Sequence, residues 1–149
     1  MSHLIRPYAV GDKQDCLDIC DSSVPDFFDA SERSLLSEFL DNPIGSYVVI
    51  EKDRAVIGSG GYRKEDRGQA RFTWGMVHRD HHGEGLGRLM AEHRIREIER
   101  SGTFTEAEIF TTPRVAPFFE KFGFKKIGFI KDGFAPGMDQ VQMIKKLRS

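Results

Sequence analysis

Apolar residues recur along this chain with two different periods, which separate predicted strands from predicted helices. A period of two is typical of a strand with one buried face, and a period of about 3.6 is typical of an amphipathic helix. The first pattern predicts seven strands, over residues 4–7, 46–51, 55–62, 69–77, 104–111, 124–130 and 138–147. The second pattern predicts four helices, over residues 12–20, 31–42, 85–100 and 113–122.

Local signals predict the ends and the buried sides of the first two helices. Asp12 and Ser31 are predicted to cap them, because short polar side chains accept hydrogen bonds from the first N–H groups of a helix. Pro43 and Gly45 end the second helix. Its buried stripe is predicted to contain four apolar residues, Leu35, Leu36, Phe39 and Leu40.

The connections between the strands predict a mixed sheet. Three strands within residues 46–77 are joined by short charged turns, and such strands pair antiparallel. The helix over residues 85–100 separates two further strands, and a strand–helix–strand crossover makes those strands parallel. In the strand before this helix, alternation places Phe72 and Trp74 on one face and Arg71 on the other.

A run of alternating glycines links a predicted strand to the helix over residues 85–100. It contains Gly83, Gly85 and Gly87. Glycine admits positive φ and lets a ligand approach the main chain, and the N–H groups at a helix N-terminus attract anions, phosphate above all. The spacing differs from the GxGxxG of dinucleotide-binding folds, and the GxxxxGK of a P-loop is absent. From the glycines alone, a diphosphate-binding turn and a glycine-rich helix start that binds nothing are equal alternatives.

Composition and charge narrow the class of protein. The 149 residues, 39% hydrophobic and 30% charged, fit a single globular domain over residues 1–149. A net charge of −1 without a polybasic run argues against nucleic-acid binding. No apolar stretch has the length of a transmembrane helix or the character of a signal peptide. We therefore expect a cytoplasmic protein with no nucleic-acid and no membrane partner.

The side chains that commonly bind metals do not form a convincing site. Cys16 and Cys20 are spaced i, i+4, but a metal site would need more ligands, and we expect reduced thiols. His78, His81 and His82 are crowded into one turn without the H-x-x-x-H spacing of a helical metal site. We expect a solvated or phosphate-adjacent cluster and no bound metal.

Two sequence motifs point to a known family. Val77 ends a predicted strand and is followed by the run HGEGLG over residues 82–87, while residues 115–124 read VAPFFEKFGF. The first run resembles the acyl-CoA-binding motif Gln/Arg-x-x-Gly-x-Gly/Ala of the GNAT superfamily of N-acetyltransferases, with His82 in the Gln/Arg place. The second resembles the closing segment of that family, A-x-x-F-Y-E-K-x-G-F. With the flanking elements, the resemblance covers essentially the whole chain.

The resemblance implies an α+β fold (mixed α/β) with a central mixed, mostly antiparallel sheet of about seven strands, splayed at the middle and flanked by about four helices. The pantetheine arm of acetyl-CoA would pair with the backbone of Met76 and Val77, as in β-augmentation. Its diphosphate would bind N–H groups between Gly83 and Arg88. The residues expected at the cofactor are therefore Met76, Val77, His82, Gly83, Glu84, Gly85, Leu86, Gly87, Arg88, Thr112 and Phe119.

The catalytic residues stay unknown. Direct acetyl transfer needs a polarised carbonyl, which a backbone N–H near Val77 can provide, a neutral amine, and a stabilised thiolate. The family often uses a Tyr to protonate the thiolate, and Phe119 takes its place here, while Thr112 matches a frequent Asn. Ala107 stands where other members carry a base, and alternation directs its neighbour Glu108 to the opposite face.

We interpret the chain as an acyltransferase that moves an acetyl group from acetyl-CoA directly to a primary amine of a small-molecule or peptide acceptor. The alternative is a catalytically impaired acyl-CoA-binding domain that acts as a sensor or interaction module, because Phe119 has no proton to give. A third hypothesis is that the glycine turn binds another phosphate ligand. In the family, Phe27 and Phe28 would lie beside the acceptor pocket, although core positions are the simpler interpretation. Neither the acceptor nor the choice between monomer and homodimer follows from the sequence.

Overall fold

The computed structural model describes residues 3–147. It contains seven strands: β1 (Leu4–Pro7), β2 (Ser46–Lys52), β3 (Ala55–Lys64), β4 (Gln69–Val77), β5 (Glu106–Thr111), β6 (Lys125–Ala135) and β7 (Met138–Lys146). Four α-helices accompany them: α1 (Lys13–Ser22), α2 (Glu32–Asp41), α3 (Leu86–Ser101) and α4 (Ala116–Glu120). Short 3-10 helices cover Val10–Asp12 and Arg79–His81.

All seven strands belong to one sheet, in the order β1-β2-β3-β4-β5-β7-β6. β4 and β5 run parallel, whereas antiparallel ladders join β1 to β2, β2 to β3, β5 to β7 and β7 to β6. The predicted mixed, mostly antiparallel sheet and the parallel crossover through α3 are therefore confirmed. The β4–β5 ladder comprises three residue pairs, from Gln69↔Glu106 to Arg71↔Glu108.

The chain divides into two compact units, and β4 contributes residues to both. The first unit contains the chain up to Arg63 together with Thr73–Arg94. The second contains Lys64–Phe72 together with the chain from Ile95 onward. Each unit has its own set of buried side chains.

In the first unit, β2 buries residues on both of its faces. Val49 and Ile50 are consecutive and fully buried, and they belong to different apolar clusters, as strand alternation requires. The cluster of Val49 includes a second side chain of β2 and side chains of α1, α2 and the end of β4, namely Tyr47, Cys16, Leu17, Ile19, Cys20, Leu36, Leu40 and Met76. The cluster of Ile50 joins β3 to the start of α3 through Ile57, Leu86 and Met90.

In the second unit, three phenylalanines form mutual edge-to-face contacts. The ring of Phe119 in α4 lies 6.5 Å from that of Phe72 and 5.5 Å from that of Phe124, and Phe72 and Phe124 are 5.6 Å apart. An isolated helix as short as α4 is not stable in water, so tertiary contacts of this kind hold it in place.

Asp12 and Ser31 occupy the predicted N-cap positions of α1 and α2, but the capping hydrogen bonds predicted for their side chains are not formed. The carboxylate of Asp12 instead binds the Arg6 guanidinium through two contacts of 2.9 Å. At the start of α2, Glu32 Oε2 accepts from the Asp29 N–H at 2.8 Å and Asp29 Oδ2 accepts from the Ser31 N–H at 2.9 Å, while the Ser31 side chain makes no capping bond. A local capping rule does not include such competing partners.

Three other predictions differ from the structure in detail. Leu35 is 59% exposed, so the stripe of α2 is completed by the fully buried Leu36 and Leu40 and by the half-buried Phe39. The helix α4 is shorter than the predicted 113–122. Strand β6 continues to Ala135, where a loop was predicted after residue 130.

Candidate functional site

The glycine-rich turn between β4 and α3 adopts backbone conformations that favour glycine. Gly83 has φ +86° and Gly85 has φ +79°. A Cβ added at either position would meet no atom within 4 Å, so conformation rather than crowding explains both glycines. The N–H of Leu89 donates to the carbonyl of Gly85 at 3.0 Å, which places Gly85 at the start of α3.

The first turn of α3 presents an array of backbone donors. The N–H groups of Leu86, Gly87 and Arg88 precede the first intrahelical hydrogen bond and have no partner four residues earlier within the helix. The dipole of a 16-residue helix adds partial positive charge at the same end. Donors of this kind next to an open glycine turn suit a phosphate-type anion.

Charged side chains around the turn pair with one another. Glu84 Oε1 lies 3.2 Å from the Lys52 Nζ and 3.2 Å from the His81 Nδ1. Hydrogen bonds from His81 and then from Lys52 lower the pKa of Glu84 below its ordinary value. Arg88 is largely exposed and pairs with Glu92 one turn later, at 3.2 Å. The carboxylate of Glu84 is thus engaged by the Lys52 ammonium and by the ring of His81.

His82 connects the glycine turn to the end of β4. Its Nε2 lies 2.8 Å from the carbonyl oxygen of Val77, and because a carbonyl only accepts, Nε2 carries the proton. The N–H of His78 donates to the carbonyl of Ile57 at 2.8 Å. By strand alternation the peptide groups of Val77 point to the edge of β4 away from β3. The preceding residue, Met76, is buried in the core.

The segment between α1 and α2 contacts the same turn. The ring of Phe27 lies edge-on to that of His82 with centroids 5.3 Å apart. Arg79 bonds Asp26 at 2.6 Å, and its N–H donates to Ser22 Oγ at 3.1 Å. Phe27 is therefore a partner of the glycine turn, which the sequence did not predict.

Trp74 interrupts the regular backbone of β4. Its φ is +39°, which is rare for a bulky residue. Its ring packs against Phe28 at 6.1 Å and Phe39 at 6.4 Å, whereas Phe72 packs against Phe119 and its neighbours. Phe72 and Trp74, which are predicted to share a face, pack against different aromatic partners.

Two glycines of neighbouring strands make room for α3. A Cβ on Gly60 would lie 3.0 Å from the Met90 Sδ, and a Cβ on Gly75 would lie 3.0 Å from a guanidinium nitrogen of Arg94. Arg94 is 3% exposed, and its other guanidinium nitrogen donates to the carbonyl of Gly61 at 3.4 Å. Burial lowers the pKa of Arg94 to about 9, so it stays cationic at neutral pH.

Two of the predicted cofactor residues lie in the second unit. The carbonyl of Thr112 accepts from the N–H groups of Val115 and Ala116 at 3.0 Å, and its Oγ1 is buried without a hydrogen-bond partner among residues 3–147. Phe119 is 6% exposed within the phenylalanine cluster. Its ring has no titratable group, so it supplies no proton.

A buried carboxylate of β5 is fully engaged. Glu108 is 3% exposed, and its two oxygens accept from Arg71 Nε and Gln142 Nε2, each at 2.7 Å. Arg71 also lies 3.3 Å from Glu65 and stacks over Phe110 at 4.9 Å. The arrangement indicates a structural ion-pair network rather than a free base.

Residues 3–147 contain neither a cluster of metal-binding side chains nor a membrane-spanning helix. Within the described ranges, no three His, Cys, Asp or Glu side chains come together in a way that could hold a metal ion. A membrane-spanning helix is likewise not found among residues 3–147, where none combines sufficient length with sufficient hydropathy.

Comparisons with known proteins agree with the motifs. The profile of the Acetyltransferase (GNAT) domain family matches residues 43–126. A search among curated proteins returned no match.

Solved structures share the fold at low sequence identity. Ard1 from Thermoplasma volcanium has a TM-score of 0.84 at 15% identity, with 100% of both chains covered. The ribosomal-protein-S18-alanine N-acetyltransferase from Escherichia coli has a TM-score of 0.83 at 16% identity, over 99% of this chain and 96% of that one. The protein yncA from Salmonella typhimurium, solved with its cofactor acetyl-CoA, has a TM-score of 0.75 at 20% identity, over 100% of this chain and 96% of that one.

Proposed function

The chain belongs to the acetyltransferase (GNAT) domain family, and from this premise we propose that it moves an acetyl group from acetyl-CoA directly to a primary amine. The observation that carries the proposal is the turn with positive φ at Gly83 and Gly85, followed by the N–H groups that open α3. Because a diphosphate needs several converging donors and an open approach, these residues fit the cofactor. In this proposal residues 1–149 act as a single domain.

We assign binding of the cofactor chiefly to the backbone. The N–H groups between Gly83 and Arg88 would hold the diphosphate, and the peptide groups of Val77 would pair with the pantetheine arm. His82 Nε2 bonds the Val77 carbonyl here, so pairing through that carbonyl requires the imidazole to move. Glu84, held by Lys52 and His81, would leave the donors free for phosphate.

Acetyl-CoA supplies the thioester, whose C–S bond is exchanged for the C–N bond of an amide. A backbone N–H of β4 polarises the carbonyl, and the amine proton passes to solvent or to a base that we do not assign. The thiol of CoA is more acidic than an amine, so its thiolate can leave without a dedicated acid. This accounts for activity with Phe119 in place of a tyrosine.

The acceptor is proposed only as a class. The similar protein from Escherichia coli is named for acetylating an alanine of a ribosomal protein, and its fold likeness supports a peptide amine, with a small-molecule amine as the other proposed class. A second candidate function is a catalytically impaired acyl-CoA-binding domain. The burial of Phe119 among other phenylalanines favours it, because no proton donor stands at that position.

A thermal-shift titration with acetyl-CoA, CoA and ADP tests cofactor binding. The variant Gly87→Asp adds a negative charge to the first turn of α3, where a carboxylate favours the helix but repels a diphosphate. Gly11→Asp is the control, because it adds the same charge at a position where a Cβ meets no atom within 4 Å. We expect acetyl-CoA to stabilise the wild type and Gly11→Asp, and not Gly87→Asp.

An amine screen that follows released thiol then separates the two functions. Release of CoA thiol with one class of amine supports the transferase. Stabilisation by acetyl-CoA without transfer to any amine supports the binding domain. If acetyl-CoA stabilises neither wild type nor control, or if ADP stabilises equally, cofactor recognition by this turn is contradicted.

A further inference from the structure

The Trp74–Gly75 peptide of β4 has an unusual and well-held orientation. Trp74 is the single tryptophan of the chain and has φ +39°. A bulky residue adopts this region only when the surrounding structure imposes it, and such backbone strain often occurs at functional sites. The following residue, Gly75, is the one exposed residue of β4.

A buried tyrosine holds the carbonyl of this peptide. The hydroxyl of Tyr47 lies 2.9 Å from the carbonyl oxygen of Trp74 and 3.0 Å from Ser59 Oγ. Because the carbonyl only accepts, Tyr47 donates its one proton to Trp74, and Ser59 donates to the oxygen of Tyr47. Tyr47 is 5% exposed and Ser59 is fully buried, and burial raises the pKa of Tyr47 well above its usual range. The donor therefore stays protonated.

Fixing this carbonyl also fixes a backbone donor. In a trans peptide the C=O of Trp74 and the N–H of Gly75 point in opposite directions, so the bond from Tyr47 sets the direction of that N–H. Gly75 has no side chain to prevent a ligand from approaching, and the cationic guanidinium of Arg94 lies against it. The N–H of an exposed residue beside a buried cation is suited to a carbonyl oxygen that gains negative charge.

We propose that Tyr47 is a positioning residue, whose hydroxyl holds the Trp74–Gly75 peptide so that the Gly75 N–H binds the acetyl carbonyl of acetyl-CoA. The proposal rests on the proposed function, since it assumes that the acetyl group reaches β4. It also assigns Trp74 as a reporter, because a change in this peptide changes the surroundings of the only indole in the chain.

Two variants that each lack one oxygen atom distinguish a positioning role of Tyr47 from a general loss of stability. Tyr47→Phe removes the hydroxyl and keeps the ring contacts with Tyr8 and Phe39. Ser59→Ala also removes a buried hydroxyl from the same network, but it leaves the bond from Tyr47 to Trp74. The Kd values of acetyl-CoA and of CoA are measured by calorimetry for both variants, and the fluorescence of Trp74 is followed in the same titrations.

We expect the wild type and Ser59→Ala to prefer acetyl-CoA over CoA and to show a change in Trp74 emission that acetyl-CoA produces and CoA does not. In Tyr47→Phe the preference falls by about two- to tenfold, the range for one neutral hydrogen bond, while the Kd of CoA is unchanged. With any amine acceptor, kcat falls in Tyr47→Phe, and the KM for acetyl-CoA rises by no more than its Kd does. The binding measurements need no acceptor, so they still decide on Tyr47 if no amine is acetylated.

Three results would overturn the assignment. The first is a preference for acetyl-CoA in Tyr47→Phe equal to that of the wild type, and the second is an equal loss of this preference in Tyr47→Phe and Ser59→Ala. The third is a Trp74 emission of the wild type that does not distinguish acetyl-CoA from CoA. If Tyr47→Phe folds poorly, the emission of the wild type still decides, and a second background tests the route of the effect. Glycine adopts φ +39° without strain, so in a Trp74→Gly background the hydroxyl of Tyr47 should no longer affect the preference. A full effect in that background would contradict the proposal.

Discussion

Gly85 and Gly137 form a matched pair for testing the glycine turn. Both have φ +79°, and at both an added Cβ would meet no atom within 4 Å. Gly85 begins α3, whereas Gly137 lies in the turn between β6 and β7. Alanine at either position meets the same backbone strain and no collision, but only Gly85 lies in the proposed diphosphate-binding turn.

The expected loss of stability is small and equal for the two variants. An L-residue in the left-handed region costs about 1–2 kcal/mol, and the lower entropy of the unfolded chain offsets about 0.4–1 kcal/mol of that. A net loss of about 1 kcal/mol lowers Tm by roughly 2–4 °C in a chain of this size. Ligand at about 100 times its Kd adds about 2.7 kcal/mol to the wild type, and binding weakened about a hundredfold leaves about 0.4 kcal/mol at the same concentration.

The assay is a thermal melt of the wild type, Gly85→Ala and Gly137→Ala, each with and without acetyl-CoA at one fixed concentration. Without ligand, the two variants should melt together, slightly below the wild type. With ligand, Gly137→Ala should gain as much as the wild type, and Gly85→Ala should gain almost nothing. Equal ligand-dependent gains in the two variants would refute the diphosphate assignment.

Two other predictions concern the buried groups of the fold. Arg71→Met should lower the free energy of unfolding by about 3 kcal/mol in a urea titration, because the buried carboxylate of Glu108 then keeps only Gln142 as a partner. This value is the low end for a broken buried pair, since the Arg71 side chain is 34% exposed. A loss below about 1 kcal/mol would contradict that account. Burial raises the pKa of Cys16 to about 12 and that of Cys20 to about 11, so these thiols ionise more readily in the unfolded chain, and Tm should fall as pH rises above about 9. The double variant with alanine at both cysteines should have a lower Tm at pH 7, and its Tm should fall less steeply with pH above pH 9. If its Tm falls as steeply as that of the wild type, the thiols are not the cause of the fall.

The parts of the fold that sequence predicted best depend on local patterns. The bounds of β1 and β4 match the predicted ones, and α3 differs by one residue at each end, because alternation and helical periodicity are properties of adjacent residues. The conformation of the glycine turn was also predictable from sequence, because glycine admits positive φ and both Gly83 and Gly85 adopt it. The family was identified from two motifs, because two motifs in the right order and at the right separation are more specific than either motif alone.

The features that sequence missed depend on distant partners. The positive φ of Trp74 is stabilised by Tyr47, which lies 27 residues earlier, and nothing in the local pattern of a strand indicates it. Arg94 was not predicted to be buried, because a charged residue is normally assigned to the surface. Its spacing of four residues from both Met90 and Ile98, which are buried, was the available signal.

The close approach of α3 to Gly75 has a consequence for how this sequence can change over evolutionary time. Gly75→Ala brings a methyl group against the guanidinium of Arg94, so the first step carries a steric penalty. A shorter side chain at position 94 removes the obstacle, after which alanine at position 75 is acceptable. The two positions therefore form an epistatic pair, in which the order of substitutions decides whether the path is open. A double-mutant cycle on Gly75→Ala and Arg94→Ala should show that the second substitution costs less than it does alone.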